Sequence, residues 1–249
     1  MALTSISRRT HWFGVALLFI SSILLLITTI SAPIWNHVSL LDVTLTNATS
    51  LRNSSVTFGT FGYCILDVPP VATHQDWCTH HKIGYAPADI MARIDHTSFS
   101  EMAAGTSDSL TRVMVLHPIV CVLAFAAFLT SLGSGIIGSL IGAFIAFVTW
   151  VLVLISLAVD FSLFSIVKHH VNHDKSGSKA TYGSAIWLLL VSFVTLFFGM
   201  LIVFFTCCTH QREKRIAGQR AKEEGTYPAA SAGGTDGVAA PRKKRFGIF

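Results

Sequence analysis

The chain has 249 residues, of which 52% are apolar and only 12% charged, with a mean hydropathy of +0.60. That balance excludes an ordinary soluble domain and points to a membrane protein with several spans. The net charge of +5 is unevenly placed: nine of the 18 Lys and Arg follow His210, behind a hydrophobic segment. Such placement argues for a membrane-facing tail and against nucleic-acid binding.

The first span is predicted at 12–32, after a short N-terminus (1–11) carrying Arg8 and Arg9. Its charge-free core, Trp12 to Ile30, is longer than a usual signal-peptide core, so a retained helix is expected. Pro33 ends it, and Trp35 suits a membrane interface. A long polar loop follows, 33–112. Asn47-Ala-Thr and Asn53-Ser-Ser are glycosylation sequons, which place this loop outside the cell. Ser55 to Leu66 is rich in aromatic and β-branched residues and reads as one strand, with Gly59 and Gly62 as bulge or close-approach positions. Cys64 and Cys78 fall in this loop, separated by thirteen residues that include Pro69 and Pro70. In an oxidising compartment they are expected to pair, and the closed loop is worth about 3 kcal/mol. Pro87 to Glu101 shows helical spacing of Ile90, Met91, Ile94 and Phe99, the mark of a short amphipathic helix.

Span two is predicted at 113–132, with His117-Pro118 near its outer end, and a charge-free turn at 133–135 leads into span three, 136–167. Gly138, Gly142 and Ala146 form a small-residue ridge on span three. It serves either packing within the chain or a homo-oligomer contact, and internal packing is favoured. Asp160 is the sole acidic residue inside a span. It lies about 36 Å along the helix from Ile136, where a structural bond to Arg112 or to His117 is expected. A second outer loop, 168–181, holds His169, His170 and His173. Span four, 182–206, ends at Cys207 and Cys208, which are candidate acylation sites beside a basic segment. The tail, 207–249, is basic and expected to be largely disordered, and its last cluster, Arg242-Lys243-Lys244-Arg245, is a candidate contact for membrane lipids. An even number of spans with basic flanks places both termini in the cytosol.

Several of these residues together resemble a known family. Phe58-Gly59-Thr60-Phe61-Gly62-Tyr63-Cys64, then Cys78 and Gly84-Tyr85, is similar to the run carried by the fungal PalI family, the pH-response branch of the claudin-like four-span proteins. Ser31-Ala-Pro33, Asp160-Phe-Ser-Leu-Phe164 and Tyr182-Gly-Ser-Ala-Ile-Trp-Leu188 extend the likeness over about 200 residues. The resemblance implies an all-α membrane protein, a four-transmembrane-helix bundle with a small disulfide-bonded extracellular β-sheet. It also implies a plasma-membrane role in ambient alkaline-pH signalling, assisting a seven-transmembrane sensor. A sister branch organises cortical membrane domains (eisosomes) and is the alternative.

No phosphate-binding glycine loop, nucleophile elbow or HExxH motif occurs in the sequence, so no enzyme activity, cofactor or catalytic metal is expected. The histidine groups at 80–81 and 169–173 read as solvated loop residues in preference to metal ligands. A small transporter or channel is the least supported class, because the spans hold few polar groups.

Overall fold

The computed structural model describes residues 2–46, 54–68, 75–95, 97–133, 136–173 and 176–224. Asn47, Asn53 and Arg242 to Arg245 lie outside these residues. The chain divides into two compact units, 1–210 and 211–249. In the second, the described residues continue a helix.

The first unit is a helix bundle with a sheet at one end. Among the described residues, four helical segments are long and apolar enough to cross a membrane: Arg9–Thr29, Glu101–Leu132, Gly138–His173 and Ser184–Thr209. This is a multi-pass membrane protein. Helix α1 (Ala2–Thr29) stops just before Ser31-Ala-Pro33, where proline removes a helix donor. It meets α6 (Ser184–Glu224) at two glycines: a Cβ on Gly199 would lie 3.2 Å from the Gly14 carbonyl oxygen. Phe19 of α1 packs on Phe128 of α4 (Leu116–Leu132), with ring centroids 5.0 Å apart. Trp150 of α5 (Ile136–His173) lies between Phe193 and Phe197 of α6, each 5.3 Å away. Gly142 of α5 lies against Ser131 of α4 and Ala146 is fully buried, so the small-residue ridge packs within the chain.

Among the described residues the sheet has five antiparallel strands in the order β4-β3-β2-β1-β5. These are β1 (Leu41–Thr44), β2 (Ser55–Phe58), β3 (Tyr63–Val68), β4 (Gln75–Cys78) and β5 (Lys179–Tyr182). The single strand expected over Ser55 to Leu66 is in fact a hairpin. Phe58 pairs with Tyr63, and the Gly59 N–H donates to the Gly62 carbonyl at 2.9 Å, so the two glycines close a turn where a continuous strand was expected. Its inner face, from Leu41, Val43, Val56 and Phe58, packs on Met114, Leu163, Phe164, Val167 and Ile186 of the helix ends. The Cys64–Cys78 disulfide forms between paired residues of β3 and β4. Together these features give the four-helix bundle with a small disulfide-bonded sheet.

Four element boundaries differ from expectation for identifiable reasons. The amphipathic segment divides into α2 (Pro87–Asp95) and α3 (Glu101–Val113), because Ser100 caps a new helix by accepting from the Ala103 N–H at 3.3 Å. Helix α3 is joined to α4 by the Met114-Val115 turn, so the helical segment containing span two begins earlier than 113; Pro118 sits in the first turn of α4, where a missing N–H costs little. The second loop is mostly structured: α5 runs on to His173, and Lys179–Tyr182 becomes a sheet edge beside β1. Helix α6 continues past 206 to Glu224, through a stretch rich in Glu, Lys, Arg, Gln and Ala, which are good helix formers.

Candidate functional site at the junction of bundle and sheet

The four sequence segments singled out above converge at the sheet end of the bundle. The hairpin tip docks on the end of α1. Gly59 has no room for a side chain: a Cβ there would stand 2.6 Å from the Ala32 amide nitrogen and closer still to its carbonyl oxygen. Thr60 then makes three bonds across the junction. Its N–H donates to Ser31 Oγ at 3.0 Å, its hydroxyl donates to the Thr28 carbonyl at 3.0 Å, and Ser31 Oγ donates to Thr60 Oγ1 at 3.0 Å. Thr28 is in the last turn of α1, where carbonyls lack helical partners, so this bond caps the helix with a loop residue. Thr28, Ser31 and Thr60 are all buried, which makes their mutual satisfaction necessary.

Gly84 and Tyr85 hold the tip from the other side. Gly84 has φ +70, a conformation that favours glycine, and it turns the chain so that Tyr85 points inward. The Tyr85 hydroxyl donates to the Gly59 carbonyl at 2.6 Å, and its ring stacks on Phe58 with centroids 6.3 Å apart. Burial, and secondarily the charge of Asp160, push the Tyr85 hydroxyl well above the usual phenol range. It therefore stays a donor at any pH a cell meets.

The Tyr182-Gly-Ser-Ala segment is fitted in the same manner. Gly183 lies against Ser39, where any Cβ would collide with that residue's backbone and hydroxyl. The Ser39 carbonyl accepts from the Ala185 N–H at 2.8 Å, satisfying one of the free donors at the start of α6. The Ser39 hydroxyl turns instead to the Asp42 carboxylate. Burial raises the Asp42 carboxyl above its ordinary value, and the bond from Ser39 offsets part of that rise.

Below the sheet, His117 of α4 and Asp160 of α5 form a fully enclosed pair. His117 Nε2 lies 3.0 Å from Asp160 Oδ2, and Nδ1 donates to the Met114 carbonyl at 3.2 Å. Their side chains are 1% and 0% exposed. Because a carbonyl can only accept, Nδ1 carries a hydrogen. The second bond then holds one proton between imidazole and carboxyl, and the pair is neutral as a unit. Asp160 thus pairs with His117; Arg112 turns away to Asp108 at 3.2 Å. Asp160 Oδ1 has no hydrogen-bond partner among the described residues.

The remaining candidates are dispersed. Cys207 is buried and Cys208 exposed, so the adjacent thiols face different surroundings; Cys121 is buried in the bundle. Phe61 and Gly62 complete the hairpin tip, and Tyr63 carries the aromatic row from Phe58 out to Trp77, 5.8 Å away. The His169 and His173 rings lie 4.2 Å apart, tilted to each other, but among the described residues no three His, Cys, Asp or Glu side chains gather as a metal site. Sequence reasoning missed Thr60, Ser31 and Ser39 as working residues. The signal was present, since Thr60 lies inside the glycine-rich run and Ser31 beside Pro33, but hydroxyls carry no periodicity that reveals a partner.

Residues 10–199 match the model of the SUR7/PalI family. The chain belongs to the SUR7/PalI family. No individual curated protein matches it. The family match ends inside α6, so all the junction residues lie within it and residues 200–249 lie beyond it.

Proposed function

We propose that this chain is a non-enzymatic plasma-membrane protein of ambient alkaline-pH signalling, which assists a seven-transmembrane sensor in reaching and staying at the cell surface. The observation that carries this reading is the Phe58–Cys64 run with Gly84-Tyr85, the PalI-like part of the sequence, which here builds a rigid docked hairpin. Family membership supports a membrane protein of this class. The disulfide supports placing the sheet outside the cell, where thiols oxidise, and both termini in the cytosol. An accessory role needs a stable outer platform and a lipid-embedded surface for a partner helix, and it needs no catalytic constellation.

The test is deletion of the gene with the sensor fluorescently tagged. Loss of growth at alkaline pH together with retention of the sensor inside the cell is the expected outcome. Static furrow-like patches of this protein, with the sensor still at the surface, would instead place it among cortical-domain organisers.

A further inference from the structure

Beside the sheet, a groove of about 610 Å³ opens between the start of α3 and the end of α5. Ser98, Ser100, Ser162, Ser165, His169 and Phe99 line it, with Ala103, Ile166 and His170. We propose that this groove binds the hydroxyl-rich, uncharged headgroup of a glycolipid from the sheet-side leaflet.

Three observations lead there. The first is the chemistry along one exposed stripe of α5. Leu154 and Ile155 are 43% and 45% exposed, and the stripe continues through exposed Ala158 to exposed Ser162, Ser165 and His169. It changes from apolar to polar after Ala158, which stands about 33 Å along the helix from Ile136, against a hydrocarbon core of about 30 Å. The groove therefore begins where the lipid tails end. A lipid lying along Leu154 and Ile155 delivers its headgroup into it.

The second observation is the donor and acceptor balance. Ser162 spends its hydroxyl hydrogen on the Ala158 carbonyl at 2.8 Å and keeps acceptor lone pairs. Ser100 accepts from the Ala103 N–H at 3.3 Å and keeps its hydroxyl hydrogen. The groove thus offers donors and acceptors side by side. Sugar hydroxyls use both; a phosphate, which only accepts, would use half of them. The third is charge and shape: none of the nine lining residues is Lys or Arg, the residues an anionic headgroup would call for. Phe99, held by His170 stacked 3.7 Å from its ring, adds an apolar wall of the kind that packs on the C–H face of a sugar.

The full-length protein in phosphatidylcholine nanodiscs provides the test. Retention of a glucosylceramide is compared by native mass spectrometry with retention of the sugarless ceramide and of phosphatidylserine. Preferential retention of the glycolipid, by about tenfold over ceramide, is expected. Ser165→Phe, which fills the groove from an exposed position, should abolish that preference while thermal stability stays unchanged. Equal retention of glycolipid and ceramide overturns the proposal, as does stronger retention of phosphatidylserine. A preference that survives Ser165→Phe in folded protein overturns the location. If that variant fails to fold, Ser162→Val with Ser165→Val asks the same question with less bulk, and the wild-type lipid comparison stands without any variant.

Discussion

The bundle interior and the sheet end of this protein are held by different kinds of contact. In the bundle, the core is Leu, Val and Ala around Leu18, Val120, Ala124, Ala146 and Leu196. Its hydroxyls mostly bond their own helices one turn back, as Thr130, Thr149 and Ser156 do. Lipid is as apolar as leucine, so burying leucine between helices gains little, and close approach at Gly14, Gly199 and Gly142 supplies the packing. At the sheet end the surroundings are water, hydrophobic burial works in full, and the hydroxyl and amide bonds run between elements: Thr60 to α1, Tyr85 to the hairpin, Ser39 to α6. The difference teaches where specificity sits. Contacts between bundle helices rest mainly on packing and close approach, whereas those at the junction rest on particular hydroxyls and glycines.

The largest test of that contrast is the buried pair. His117→Ala or Asp160→Ala leaves one polar group stranded and should cost about 3–5 kcal/mol each. The double change to Leu removes both and should recover most of that loss, a non-additivity read from unfolding in detergent. If the two single losses simply sum in the double variant, the pair is not a unit. Asp160→Asn keeps a hydrogen bond to Nε2 and should fall between wild type and Asp160→Ala.

Next in size is the disulfide. Cys64→Ser and Cys78→Ser each open the same loop and should lose about 3 kcal/mol, equally. Unequal losses would show that one thiol matters for another reason.

Tyr85→Phe should cost about 1–2 kcal/mol through the lost bond to Gly59 and the carbonyl left behind. It carries a pH signature as well. Because the folded phenol titrates well above its ordinary value, its contribution is complete below about pH 10 and is lost as pH climbs further, since only the unfolded chain then ionises readily. The fall in stability above about pH 10 should be shallower in Tyr85→Phe than in wild type, measured by thermal unfolding across alkaline buffers.

Much of this architecture was legible in the residues. Charge-free runs revealed the four spans because lipid imposes a length and a composition that few other constraints mimic. The cysteine pair was legible for its compartment, and Asp160 because a carboxylate in a span demands a partner. Hidden were the features made by distant parts meeting. The aromatic run around Gly59 reads as one strand until Ala32 is known to sit beneath it. Residues 179–181 read as loop, and Tyr182 as the start of span four, until β1 offers them an edge, and Asn172 then closes that edge, its side chain donating to the Ala180 carbonyl at 3.0 Å and accepting from its N–H at 2.8 Å. Covering an edge in this way prevents pairing with another chain, a purpose no local pattern encodes.

The last test is one of sign, and it uses two glycines, the second of which carries the smallest expected effect. Gly59→Ala drives a methyl into the Ala32 backbone, which is itself fixed by a bond from its N–H to the Val38 carbonyl at 2.9 Å. Neither side has a flexible chain end to yield, so the change should cost about 1–3 kcal/mol. Gly105 lies within α3, and a methyl there would meet nothing within 4 Å. Alanine restricts the unfolded chain and suits a helix, so Gly105→Ala should stabilise by about 0.5–1 kcal/mol. Opposite shifts in midpoint from the same chemical change would locate the constraint at the junction itself. If Gly105→Ala also destabilises, the α3 surface is covered by something that the isolated chain lacks, and the contrast between junction and periphery would have to be redrawn around that contact.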